Sequence, residues 1–364
     1  MTHSPIPYGR QSIDESDISA VEAVLRGAWL TQGPAVEAFE EAVAQRVQAR
    51  HAVAFSSGTA ALHGCTVVAG LGPGDLVVTS PLTFMASANC ARYVGASVGL
   101  VDIRPETLNL DMAQIPAEAD AVVAVHYAGL PVDLRGMKVR PRVVIEDAAH
   151  ALGVSTPDGP VGNCARSDLC MFSFHPVKPI TTGEGGIVTT NDDSLAHELR
   201  QFRSHDIERT PDRGAWAYQI SELGFNYRMT DIQAALGLSQ LAKLGSFIQR
   251  RNELADRYRA MLAPLPVVLP PEAPQGFTHG YHLFAVRVRD RERVFDGLRA
   301  ADIGVQVHFV PIHHHPISVD IDVDPGDLPA CDEAYEQLIS LPMFPDLTEA
   351  EQDRVVAVLA SLVK

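Results

Sequence analysis

The feature that most constrains this chain is a series of short, unbroken apolar runs alternating with helical stretches. Ala52–Phe55, Leu76–Ser80, Ser97–Val101, Ala121–Val125 and Arg142–Glu146 are brief and dominated by apolar residues, many of them valine. Runs of this kind lack the polar alternation of a half-exposed strand, so they predict strands buried on both faces. Helices are expected between them, over Thr59–Ala69 and Met85–Val94. Parallel strands need such crossovers, and the result is a mostly parallel sheet covered by helices. Ligands of these sheets sit beyond the carboxyl ends of the strands.

Around this block the reading is simpler. Ser12–Glu15 reads as a capping box before a helix to about Leu25. Thr31–Pro34 is a turn into a second helix, Ala35–Val47. Asp231–Leu262 reads as one long helix or a broken pair, followed by a proline cluster at Pro264, Pro266, Pro270, Pro271 and Pro274. Beyond it strands are expected at Leu283–Val288 and Val305–Val310, with helices over Arg291–Ala301, Cys331–Ser340 and Glu349–Leu362. The expected architecture is α/β, with a large mostly parallel-sheet domain over residues 1–246 and a smaller α/β domain over 247–364.

Charge and cysteine usage narrow the function. A net charge of −16 argues against a general nucleic-acid or anionic-membrane binder. A phosphate-bearing ligand must then be held by local devices such as helix N-termini. The five cysteines are odd in number and scattered with no CxxC, which predicts reduced thiols. Neither a signal pattern nor an apolar run of membrane-spanning length is read, so a cytoplasmic protein is expected.

The stretch Ser167–Thr190 places Lys178 in a loop between two strand-like runs, Leu169–Phe174 and Ile187–Thr190. Pro176 and Pro179 keep a helix from running through it, and Gly183, Gly185 and Gly186 allow the chain to return. A lysine held there has little water for its ammonium. Its pKa falls, and a neutral amine is what Schiff-base chemistry needs. The plainer alternative is a solvated loop lysine.

Other stretches add partners. Arg142–Asp147 is an apolar strand ending in Glu146 and Asp147. A carboxylate there either holds a pyridine nitrogen protonated or caps the next turn, and spacing does not separate the two acids. Ser57, Gly58 and Thr59 open a helix with small, donor-rich residues, which suits a phosphate as well as an ordinary cap. Ser173 is placed to add a hydroxyl to the same group. Phe84 would stack on a planar ring or sit in the core. His313, His314 and His315 invite a metal. In an extended segment only His313 and His315 share a face, and no nearby cysteine or acid gives a zinc spacing, so no metal is expected.

SFHPVKPITTGEGG, EDAAHALG, SSGTAALH, PLTFMASAN, ELGFNYRMTDIQAALG and GVQVHFVP all occur in this chain. Together they resemble the DegT/StrS-type sugar aminotransferases, pyridoxal 5′-phosphate (PLP) enzymes of fold type I. The resemblance spans essentially the whole chain. It is nearest to the branch that makes UDP-4-amino-4,6-dideoxy-N-acetyl-altrosamine for pseudaminic acid, although His313–Pro316 departs from that branch. It implies that Lys178 carries the cofactor, Asp147 pairs with the ring nitrogen, His150 lies beside the ring and Phe84 stacks on it. Thr59, Ala60 and Ser173 would hold the phosphate, and Asn226 would reach it from the second subunit of a homodimer. Lys178 itself argues against the branch that carries histidine there and dehydrates sugars.

The implied reaction takes an amino group from L-glutamate to a nucleotide-diphosphate keto-sugar. Charge agrees: between Arg299 and Arg354 there is no Lys or Arg, so the stretch of the small domain expected to line the pocket, His308–Pro316, offers no arginine to hold an amino-acid carboxylate. His308 and His313 fall in the stretch expected to line a sugar pocket. Arg228 is expected to meet either a diphosphate or the donor's carboxylate, with Arg200, Arg203, Arg209 and Arg213 as further cations. Cysteine desulfuration is a competing chemistry of the fold, with Cys331 the nearest thiol. A cofactor-binding regulator is another, but the N-terminus has no basic DNA-binding extension.

Overall fold

Seven strands build the sheet that the apolar runs predict: β1 (His51–Phe55), β2 (Leu76–Thr79), β3 (Ser97–Leu100), β4 (Ala121–Val125), β5 (Val143–Asp147), β6 (Leu169–Ser173) and β7 (Gly186–Thr190). The structure is a computed structural model that describes residues 4–321, 323–324 and 326–363. The strand order is β1-β7-β6-β5-β4-β2-β3, and only β7 runs against the others. Side chains alternate between faces along each strand. In β1, Val53 and Phe55 therefore enter one apolar cluster while Ala52 and Ala54 enter the other.

Helices cover both faces. On one side lie α3 (Gly58–Val68), α4 (Ala86–Tyr93) and α5 (Asp193–Phe202), burying Leu62, Cys90 and Leu199. On the other, α2 (Pro34–Val47) buries Phe39 and Val43 beside Leu244 of α6 (Asp231–Leu262). α1 (Glu15–Arg26) packs along α6, where Asp17 meets Lys243 and Gln240. α6 is a single helix of 32 residues, opened by a reciprocal Thr230–Gln233 cap.

The expected boundary at 246/247 falls inside α6. Its first half serves the large-sheet core, and Leu254, Ala255, Tyr258 and Leu262 serve a second core. That core is completed by β8 (Phe284–Arg287), α7 (Arg291–Ala300), β9 (Leu338–Leu341) and α9 (Glu349–Leu362), with β8 and β9 antiparallel. α8 (Pro329–Gln337) precedes β9.

Three local expectations are corrected. The first cap is Asp14, not Ser12: Asp14 accepts the Ser16 and Asp17 N–H groups and Asp17 returns a bond to Asp14 N–H. Ser12 instead donates to Asp346. The helix expected to reach Ser340 ends at Gln337, because the following Leu-Ile-Ser-Leu run pairs with β8. Val305–Val310 is not a strand; Gln306 alone bridges Ser340, and the chain then bends into the wall of a cavity. Among the described residues no helix is long and apolar enough to cross a membrane.

Candidate active site

The two acids at the end of β5 part company because strand alternation sends them to opposite faces. Glu146 is occupied: it accepts from His126 Nε2 at 2.9 Å and from Ser167 Oγ. His126 Nδ1 takes the Val132 N–H, which fixes the ring's proton on Nε2. Asp147 lines a cavity at the carboxyl ends of the strands. Its Oδ2 accepts from Ser87 Oγ at 2.7 Å and its Oδ1 from Ala149 N at 3.2 Å. Asp147 is therefore the acid that faces this cavity.

The cavity has a volume of about 440 Å³ and takes in Lys178, Asp147, His150, Ser173, Ser57–Thr59 and Phe84. Lys178 is half-buried, and its amine has no hydrogen-bond or ion-pair partner among the described residues. Burial lowers its pKa to about 8, against the pull of Asp147's charge. Such an amine is nearer to neutral at physiological pH than an ordinary lysine's.

The phosphate end is made by register. β7 starts where β6 and β1 end, with Gly186 opposite both Ser173 and Phe55. A Cβ on Gly186 would lie 2.5 Å from Ser57 O, and one on Gly58 would lie 3.0 Å from the Ser173 Cβ. Both glycines thus let backbones close around the N-terminus of α3, where N–H groups and the helix dipole favour an anion. Ser57 Oγ caps this helix by accepting from Ala60 N at 3.1 Å. That bond occupies the Ala60 N–H, and the cavity wall here is Ser57, Gly58 and Thr59.

Histidines crowd the opposite wall. His150 is buried and lies against His282, the rings tilted by 32° with centroids 4.1 Å apart, and the Nδ1 atom of each is buried without a partner among the described residues. Burial, reinforced by Lys178, holds both well below the usual imidazole range. His308 is lowered to about 4 for the same reasons; its Nδ1 meets Ser340 Oγ at 3.0 Å and its carbonyl accepts from Tyr127. Phe309 lies between His150 and Phe84, each ring 6.1 Å away. Phe84 is 62% exposed, so the core alternative for it is overturned.

Other residues fall elsewhere. Asn226 and Arg228 do not line this cavity, and Asn226 is exposed beside its bridge to Ser204. Arg203 is committed to Glu40 and the Ala54 carbonyl. Arg209 and Arg213 ride on a hairpin, Ile207–Arg209 with Tyr218–Ile220. His313 lies away from the cavity. Ile312–His314 is a single helical turn, not an extended segment, and it turns His313 and His314, rather than His313 and His315, onto Asp332. The premise behind expecting no metal, an absent acid, fails there.

The cavity fits PLP. A helix N-terminus with two close-approach glycines suits its phosphate, a buried carboxylate its ring nitrogen, and a desolvated, unpaired lysine its aldehyde. The profile of the DegT/DnrJ/EryC1/StrS aminotransferase family matches residues 11–360. The chain belongs to that family. It is similar to the UDP-4-amino-4-deoxy-L-arabinose–oxoglutarate aminotransferase of Shewanella sediminis, 34% identical over all of this chain and 99% of that one. Among solved structures it is similar to Helicobacter pylori PseC, an aminotransferase of pseudaminic acid biosynthesis, with a TM-score of 0.91, 28% identity and 99% of each chain covered. Spr1654 of Streptococcus pneumoniae, described as a sugar aminotransferase, matches in its PMP form with a TM-score of 0.92 and 27% identity over 98% of this chain and 99% of that one. It is also solved in a PLP form. This aminotransferase is thus a PLP-dependent enzyme of the expected fold.

Sequence reasoning missed His282, Tyr8, Thr83 and Ser87. The first two are brought to the cavity region only by the small domain and the N-terminal segment, so no local signal marks them. Thr83 and Ser87 lie in the PLTFMAS stretch noted for Phe84, and their hydroxyls meet at 2.9 Å. Two buried hydroxyls beside an acid are a legible pattern once Asp147 is placed.

Proposed function

We propose that this aminotransferase moves an amino group from L-glutamate to the C4 keto group of a UDP-linked 4-keto-6-deoxy-hexosamine. The product would be a UDP-4-amino-4,6-dideoxy sugar of the kind that leads to pseudaminic acid. The observation that carries this reading is the cavity's charge. Among the described residues Lys178 is its only Lys or Arg; the rest of its polar wall is imidazoles, hydroxyls, aromatic rings and two carboxylates, Asp147 and Glu184. Those groups suit sugar hydroxyls and an acetamido group, which need directional hydrogen bonds rather than a fixed counter-charge. The Shewanella relative's name pairs a C4-amino UDP-sugar with oxoglutarate, which supports both the position and the donor.

PLP supplies the electron sink that makes loss of the donor's α-proton feasible. Asp147 would hold the ring nitrogen's proton, with Ser87 aiming that carboxylate. Gly58 and Thr59 N–H groups, with the Thr59 and Ser173 hydroxyls, would anchor the phosphate. Phe84 and His150 would confine the ring, and His308 would meet the sugar. Lys178 Nζ takes the donor's α-proton and later delivers one to the sugar carbon that gains nitrogen.

A homodimer would complete the site. Trp216, Tyr218, Ile220 and Leu223 form an exposed apolar face on and after the hairpin, at 80%, 58%, 56% and 79% exposure. Such a patch is unusual on a monomer and suits a second copy. Asn226 and Arg228 would then serve the neighbour's phosphate and substrate anions.

Amination at C3 of another keto-sugar nucleotide is the alternative that the same wall allows. Desulfuration finds no support, since no cysteine among the described residues lines the cavity and Cys331 is fully buried in α8. The test is NMR analysis of products from a panel of keto-sugar nucleotides with ¹⁵N-glutamate. Label at C4 of a UDP sugar is expected; label at C3, or on keto acids alone, would refute the assignment.

A further inference from the structure

The histidine turn and α8 make a second cluster, away from the cavity just described. His313 Nε2 lies 2.9 Å and His314 Nε2 3.0 Å from the same atom, Asp332 Oδ1. The candidate ligand atoms of the three residues lie within 4.8 Å of one another. We propose that His313, His314 and Asp332 bind a divalent first-row transition ion of the zinc class.

The geometry has local causes. Pro311 and Pro316 bracket the turn Ile312–His314, and the turn sets two successive imidazoles edge to face, 4.4 Å between centroids. Asp332 sits in the first turn of α8, whose start is pinned by Asp102 accepting the Ala330 and Cys331 N–H groups at 2.9 Å each. Three donors about 2.0–2.1 Å from one ion, at tetrahedral or octahedral angles, lie roughly 2.9–3.4 Å apart. The two nitrogen–oxygen separations fall within that range.

Hydrogen bonding alone explains the cluster less well. Both rings converge on one oxygen, and Asp332 Oδ2 has no partner among the described residues. An open cavity of about 500 Å³ adjoins the cluster, with His315, Ser318 and Asp324 on its wall, leaving room for further ligands or water. Ser318 is 5% exposed and its hydroxyl has no partner among the described residues. Two imidazoles and a carboxylate favour zinc, cobalt or nickel over calcium or magnesium. The ion would fasten α8 to the segment that begins at His308, and so brace one wall of the main cavity. None of this depends on which sugar the enzyme aminates.

The test uses tag-free holoenzyme, cleared with a chelator and then dialysed to equilibrium against Zn²⁺, with bound metal measured by elemental analysis. One zinc per chain is expected, with affinity at least tenfold weaker in His314→Leu and in Asp332→Asn but unchanged in His197→Ala, a surface control on α5. Co²⁺ in place of Zn²⁺ should give ligand-field absorption in the wild type that His314→Leu loses. Circular dichroism of the variants without metal should match the wild type, since His314 lies near the surface. Absence of stoichiometric zinc, or zinc held equally by both variants, would overturn the proposal and leave a hydrogen-bonded cluster only.

Discussion

Ser87 Oγ donates to Asp147 Oδ2 at 2.7 Å, and both side chains are buried. Thr83 Oγ1 meets Ser87 Oγ at 2.9 Å, so the carboxylate ends a short chain of hydroxyls rooted at the start of α4. One oxygen is thereby fixed, and among the described residues the other keeps only the Ala149 N–H. A carboxylate tethered in this way is held in one orientation toward the cavity.

Ser87→Ala should therefore loosen Asp147 without removing it. A buried hydrogen bond to a charged group contributes about 1.5–3 kcal/mol, so kcat should fall by roughly 10- to 100-fold. Cofactor affinity should fall less, because the phosphate cradle is untouched. The bound cofactor's absorption should titrate at a different pH in the variant. Unchanged kcat and an unchanged spectrum would show that Asp147 needs no tether.

Lys178 gives a pH-dependent stability signature in the apoprotein. Its folded pKa is about 8, below the ordinary lysine value of about 10.4. Below pH 8 both folded and unfolded chains carry the charge, and the folded chain bears the cost of burying it. As pH rises from 8 toward 10.4 the folded amine is neutral while the unfolded one still binds a proton, so that cost is progressively relieved. Apo Lys178→Met should thus be more stable than apo wild type at pH 7, by at most about 3 kcal/mol, with the gap closing across this window. Denaturant melts of both proteins at pH 7 and pH 10 measure it. A gap that stays constant would mean that the amine is solvated.

Much of the large domain was legible because its strands are buried on both faces, and continuous valine-rich runs such as Ala121–Val125 have few other uses. Lys178 and Asp147 are singled out only through the family resemblance: on its own stretch Lys178 reads as well as a solvated loop lysine, and spacing does not separate Asp147 from Glu146. The small domain was less legible. Leu338–Leu341 continues an apolar pattern out of α8, and only pairing with β8, some fifty residues away in the chain, makes it a strand. Asp332 meets His313 and His314 only after that strand and its helix are folded, so neither sequence spacing nor local propensity reveals the cluster.

Arg251 is another residue whose role appears only in three dimensions. It is 2% exposed, has no acidic partner among the described residues, and donates to the carbonyls of Tyr281, His282 and Met343. Burial brings its pKa down to about 10. It therefore joins α6 to the segment that carries His282 into the main cavity. Arg251→Ala should strand three buried carbonyls and destabilise the fold by about 3–5 kcal/mol. Arg251→Lys should recover part of that loss. Thermal melts of the apoprotein report the effect directly, and a loss below about 1 kcal/mol would mean that water replaces the guanidinium.

The shared-site proposal makes a sharper demand on two residues in one chain. Lys178 lines the cavity of its own chain, whereas Asn226 is exposed and lies outside that cavity. If Asn226 completes the neighbour's phosphate site, Lys178→Ala and Asn226→Ala should each impair turnover as pure proteins. Equal mixing with free exchange makes half the dimers mixed. Each mixed dimer then has one site with both defects and one with neither, so activity should recover to about a quarter of wild type. The mixture is read by initial rates after exchange, with differently tagged subunits co-purified to prove that mixed dimers formed. A site built within one chain would instead give no recovery: every site would keep a defect, and activity would stay at the mean of the two variants.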